Sequence, residues 1–237
     1  MKISKKRFVI ASIAIFFAGM VVILSYHAVD NSLTKEDIQY IPKYLTAVEP
    51  LPKNYTYLDE LNFIISIQRS VLNIAPGNDS LPYGQKRELK ELYEARTGLC
   101  FDRSRVIEKL LRYGGFETRH VSIYSTEKTD SVIISLITPG VKSHAVTEVL
   151  TKDGWLVVDS NNPWVSMDAD QRPISIHAMQ LSIKTSAPIK WHKVPPAAIY
   201  TKPFIFIYGL YSRHGQFYPP FDFIPDINWG EFVQNLL

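Results

Sequence analysis

The chain has 237 residues, 46% of them hydrophobic and 21% charged, with a formal net charge of +3. That balance suffices for one globular domain with appendages and excludes bulk disorder, collagen and repeat arrays. Four positive residues, Lys2, Lys5, Lys6 and Arg7, crowd the N-terminus, and the rest of the chain carries about −1, which leaves no footprint for nucleic acid.

From Phe8 to Tyr26 no residue is charged, a stretch long enough at helical rise to span the ~30 Å of a bilayer core. Tyr26 stands where a cleavage site before Ala28 would want a small residue, so an uncleaved anchor is expected. The positive residues predict a cytoplasmic tail over 1–7, a transmembrane anchor over 8–26, and everything later on the outer, periplasmic side of a bacterial inner membrane. Residues 27–55, punctuated by Pro42, Pro50 and Pro52, read as a stalk with a short helix near 35–45.

Thr56-Tyr57-Leu58-Asp59 has the form of a capping box, and Leu61, Ile64, Ile65, Val71 and Leu72 recur at helical spacing, predicting a helix over 57–74. A loop follows, then a charged run from Gln85 to Arg96 that predicts a second helix, with Gly98 at its C′ position. Val106, Leu110 and Leu111 among charged residues predict a third helix from Cys100 to a stop at Gly114-Gly115. Strands are expected over 117–124, 131–138, 143–151 and 155–160, with Asp153-Gly154 as a hairpin signal. Helices followed by antiparallel strands define an α+β layout over 56–185. Residues 186–237 form a Pro- and aromatic-rich C-terminal extension, in which Phe204 to Tyr211 reads as a buried strand or a segment packed over the core. Arg213-His214-Gly215 within it reads as ordinary loop chemistry, with a lid over the site as the sharper alternative.

Cys100 is the only cysteine, so its thiol is free or paired between chains. Taken alone it would be a small buried hydrophobe. Its place at the head of a helix, however, is where backbone N–H groups and the helix dipole lower a thiol pKa. A nucleophilic thiol also needs an imidazole, and a carboxylate or amide to orient that imidazole. His144 opens a predicted strand that returns through Asp153-Gly154 to Asp159, and the odd separation of 15 puts both side chains on one face of the hairpin. The tightest register pairs Asp159 with Glu148 rather than His144, a gap that twist, a bulge or a longer turn must close. Asn161 or Asn162 could take the orienting role instead. Asp102 opposes a thiolate nearby, whereas Arg103 and Arg105 favour one. Glu148 and Arg119 are expected to pair across the sheet or to face solvent. The remaining histidines show no metal-ligand spacing, so no metal or cofactor is expected.

The set Gly98-Leu99-Cys100, His144-Ala145-Val146-Thr147-Glu148-Val149, and Gly154-Trp155 with Asp159 four residues beyond the Trp resembles the three motifs of the transglutaminase-like superfamily. The likeness covers roughly residues 60–165. Where that family often has Trp after His-Ala, this chain has Val146. The resemblance implies a papain-like architecture: a nucleophile-bearing helix packed on an antiparallel β-sheet, here preceded by one transmembrane helix. It implies Cys100 as nucleophile, His144 as base and acid, and Asp159 as orienter, acting on a carboxamide or peptide bond through a thioester. The Cys100 backbone N–H is a natural oxyanion donor; Gln68 and Gln85 lie upstream at unconvincing distances for a second. The expected partners are a protein or peptide substrate, the membrane through 8–26, and an envelope protein. The alternative is a non-catalytic module of the same fold, binding or scaffolding within an envelope assembly.

Overall fold

A computed structural model of the chain describes residues 5–129, 131–212 and 225–236. Helix α1 (Lys5–Tyr26) is long and apolar enough over Val9–Tyr26 to cross a membrane, and none of that stretch is buried against the rest of the chain. It leads directly into the globular part. The N–H of Val29 donates to Ile227 O at 2.8 Å, that of Ile227 to His27 O at 2.9 Å, and His27 Nδ1 lies 3.1 Å from Asp226 Oδ1.

Four helices precede the sheet: α2 (Lys35–Tyr44), α3 (Tyr57–Ile74), α4 (Leu89–Ala95) and α5 (Cys100–Tyr113). Capping boxes start α2 at Thr34 and α3 at Thr56, each hydroxyl accepting from the N–H three residues on. The segment read as a stalk therefore reaches into the core. Ile41 and Tyr44 are buried beside Ile64, Ile67 and Leu110, and Lys109 Nζ meets Asp37 Oδ2 at 2.7 Å.

The sheet contains β1 (Thr118–Ser125), β2 (Ser143–Thr151), β3 (Gly154–Val158) and β4 (Phe204–Tyr208) in the order β3-β2-β1-β4, with antiparallel neighbours throughout. The extension is thus partly structural, since β4 forms an edge of this sheet. A second pair, β5 (Leu210–Tyr211) and β6 (Asp226–Ile227), lies beside the junction with α1, and α8 (Trp229–Phe232) follows. Strand alternation divides the core into two layers. Val149, Leu156 and Val158 face α3 and α5, whereas Val121, Val146 and Val157 face Trp164, Tyr200 and α7 (Ile176–Lys184).

Two local expectations are corrected. Residues 131–138 are not a strand but carry α6 (Val132–Ile137). Ser131 Oγ accepts from the Ile134 N–H and starts the helix, and both sides of β1 are occupied, by β2 and β4. The second helix is also shorter than expected, and the left-handed residue at its end is Arg96 (φ 56°), not Gly98. Gly98 answers a different need: an added Cβ would lie 2.6 Å from Leu92 Cδ1 and 3.1 Å from Asp102 Cβ.

Candidate active site

Cys100 is the first residue of α5 and is partly exposed. The turn that presents it is closed by Asp102, whose carboxylate accepts the Leu99 N–H at 2.8 Å. Arg87 meets the same carboxylate at 2.9 Å. Burial pushes the Asp102 carboxyl up, against the pull of Arg87. The negative charge two residues after the thiol is therefore already matched. Arg105 turns away to Glu88 and to the Asp30 carbonyl. Arg103 stays close: Nε donates to Ala75 O at 2.9 Å, Nη1 to Asn161 Oδ1 at 2.7 Å, and Nη2 to Asn78 Oδ1 at 3.1 Å and to Gly77 O. Burial lowers the Arg103 pKa, opposed first by the neighbouring Cys100 and then by Asp102 and Asp159.

The contact of Ser104 with Thr147, Oγ to Oγ1 at 3.1 Å, fixes α5 against β2. One helical turn back stands Cys100, and three residues back along the strand stands His144, at the open end of β2. His144 is buried, with Nε2 3.1 Å from Asp159 Oδ2, and Cys100 is close enough to act on its ionisation. With Nε2 directed at the carboxylate, Nδ1 is the ring nitrogen left for the thiol. Burial alone would depress the imidazole pKa, but the hydrogen bonds and charges of Asp159 and Cys100 raise it to about 10.

The hairpin explains the meeting. Thr151 pairs with Gly154 and Thr147 with Val158, so the turn holds only Lys152 and Asp153. Continued by one residue, this register sets Asp159 beside Val146, a diagonal neighbour of His144 on the same face. The expected Glu148 register is thus corrected by two residues, which halves the distance to be bridged. Glu148 instead pairs with Arg119 at 2.8 Å and accepts the Ile176 N–H at the start of α7.

Asp159 is held from several sides. Its Oδ1 accepts the N–H groups of Asn161 at 2.6 Å and Asn162 at 2.7 Å, and its Oδ2 accepts the Tyr200 hydroxyl at 2.5 Å as well as His144. Burial would raise its pKa, yet these donors lower it. Asn161 and Asn162 therefore donate to Asp159 rather than replace it. Gln68 is fully buried, and its Nε2 donates to the carbonyls of Asp159 and Trp164, each at 2.7 Å, and of Asn162 at 3.0 Å. It holds the Asp159 loop and is not free to meet an oxyanion. Gln85 is exposed, its backbone N–H bonded to Pro82 O. Tyr200 was missed by sequence reasoning because it lies 41 residues past Asp159 in the extension, with no motif around it. Arg213, His214 and Gly215 lie outside the described residues. Among the described residues no three His, Cys, Asp or Glu side chains are grouped as metal ligands.

A central helix headed by a thiol, packed on an antiparallel sheet that presents an imidazole and a carboxylate, is the layout of a cysteine-enzyme type of α+β fold. Residues 56–160 match the model of the transglutaminase-like superfamily. Among solved structures, a candidate cysteine protease from Cytophaga hutchinsonii is similar over 82% of this chain and 60% of its own, at 13% identity and a TM-score of 0.35. The chain thus spans less than two thirds of that relative's length. No curated protein matches it.

Proposed function

We propose that the protein is a membrane-anchored cysteine enzyme that cleaves or transfers a carboxamide or peptide bond of a protein or peptide substrate. In this reading Cys100 is the nucleophile, His144 the base and acid, and Asp159 the orienter. The observation that carries it is the contact of His144 Nε2 with Asp159 Oδ2 at 3.1 Å, on a ring whose pKa the nearby Cys100 helps to raise. Cys100 Sγ attacks the carbonyl carbon as a thiolate, and the resulting oxyanion is met by the Cys100 N–H, which at the head of α5 has no intrahelical acceptor. Imidazolium His144 protonates the leaving amine as the C–N bond breaks, giving a thioester. Neutral His144 then takes a proton from water or from an acceptor amine, whose attack releases acid or new amide together with the thiol. The raised imidazole pKa keeps His144 protonated, ready to act as the acid, before substrate arrives.

Helix α1 serves as the anchor in this reading, with the basic N-terminus cytoplasmic and the catalytic part on the outer side of the membrane. The test is the rate of Cys100 alkylation by iodoacetamide against pH, in the full chain in detergent. Rapid reaction at neutral pH that His144→Ala abolishes is expected. A thiol that titrates near ~8.5 with or without His144 sinks the catalytic reading and leaves a non-catalytic binding module of the same fold.

A further inference from the structure

Four cationic side chains in the core are almost wholly buried: Arg87, Arg103, Arg105 and Lys109. Buried charges are ordinarily paired. Arg87 has Asp102 at 2.9 Å, Arg105 has Glu88 at 3.1 Å, and Lys109 has Asp37 and Glu88 at 2.7 and 2.6 Å. Arg103 differs. Its partners are two backbone carbonyls and two asparagine amides, and among the described residues it forms no ion pair with a carboxylate. Four of its five N–H groups are used, leaving one on Nη1.

This guanidinium and the buried Ala75 belong to a surface pocket of about 280 Å³ whose other polar residues are Arg69, Asn73, Asn78 and Asn161. Arg69 is exposed, and its side chain has no hydrogen bond or ion pair among the described residues. Among the described residues no acidic side chain lines the pocket. The Asp159 carboxylate, which accepts the Asn161 N–H, is already engaged by His144 and Tyr200, and that of Asp102 by Arg87. Two cations without carboxylates and three amides in one recess form an environment for an anion, with guanidinium geometry suited to a carboxylate.

Its position ties it to the thiol. On one side Gly77 O accepts the Gly98 N–H at 3.1 Å, two residues before Cys100. On the other, Asn161 donates to Asp159 Oδ1. Arg103, which lines the recess, is also close enough to Cys100 for the two to interact electrostatically. We infer that the pocket bounded by Arg69, Asn73, Asn78, Arg103 and Asn161 is a substrate subsite for a carboxylate, supplied by an acidic side chain or by the C-terminus of a peptide. This rests on the proposed function, since it treats Cys100 as the point of attack.

The test uses chloroacetyl dipeptides as probes of Cys100 in the full chain in detergent. One arm compares chloroacetyl-alanyl-glutamate amide with chloroacetyl-alanyl-glutamine amide, and the other chloroacetyl-alanyl-alanine with its amide. The ratio within each arm cancels the intrinsic nucleophilicity of the thiol. The carboxylate probe of one arm is expected to react about tenfold faster than its neutral twin, and the arm that shows this names the source. The ratio should fall towards one in Arg69→Ala and Arg69→Gln, two exposed substitutions that leave the fold intact. Ratios near one in both arms of the wild type, or a preference that survives both variants, overturn the subsite. The catalytic reading fails separately: a tenfold ratio on a thiol that ignores His144 keeps the subsite and removes the catalysis, whereas a ratio of one on a His144-dependent thiol does the reverse.

Discussion

His144 Nε2 and Asp159 Oδ2 lie 3.1 Å apart although one residue opens β2 and the other follows β3. The two-residue turn at Lys152-Asp153 makes them diagonal neighbours, and the Tyr200 hydroxyl closes on the same carboxylate oxygen at 2.5 Å. The carboxylate thus faces a nitrogen that can carry charge and a phenol that cannot, because burial and Asp159 hold the Tyr200 pKa far above its usual value.

Tyr200→Phe removes a donor that lowers the Asp159 pKa. The carboxyl becomes easier to protonate, so the acid limb of the Cys100 alkylation profile should move to higher pH, with a stability loss of roughly 1.5–3 kcal/mol. A stability loss with an unmoved profile would mean that Tyr200 only fills space.

Gln68→Leu leaves the carbonyls of Asp159, Asn162 and Trp164 without their shared donor. Urea unfolding should show a loss of at least ~2 kcal/mol, and the His144-dependent reactivity of Cys100 should fall as the Asp159 loop loosens. Gln85→Leu, at an exposed side chain, should change neither. Equal effects from the two would overturn the assignment of Gln68 to the loop.

Gly98→Ala drives a Cβ against Leu92 Cδ1 and Asp102 Cβ, both on buried side chains. A cost of about 1–3 kcal/mol is expected, and Leu92→Ala should relieve part of it in a double-mutant cycle. Strict additivity would show that the close approach is not the constraint.

Glu231 gives a pH dependence away from the site. Burial and then the charge of Glu108 push its carboxyl well above the ordinary range. Between the ordinary carboxylate pKa of ~4.3 and the raised folded value, the folded chain keeps a proton that the unfolded chain has lost. Stability should therefore decline as pH rises through that window. Glu231→Gln should flatten the decline in urea midpoints taken from pH 5 to 9; an unchanged slope would assign it to other groups.

Much of the fold was legible because local chemistry wrote it. The Thr56 capping box starts α3, and β2 spans 143–151 as its β-branched alternation predicts. Residues 131–138 misled because a β-branched run says nothing of whether a partner strand is available. The spacing of His144 and Asp159 fixed their shared face, since side chains on a strand alternate strictly, but not their register, which the turn sets.

By itself the sequence determined the apolar N-terminal segment and the α+β class, and it named Cys100, His144 and Asp159 as candidates for the site. Only the tertiary structure decided that Asp102 is paired with Arg87, that Arg103 has no carboxylate partner among the described residues, and that Tyr200 reaches Asp159 from the extension. It also seated β4 in the sheet and α2 in the core. The reason is physical. Helical period and strand alternation act between residues close in sequence, whereas the partner of a buried charge or a sheet edge is chosen by packing among segments that are neighbours only after folding.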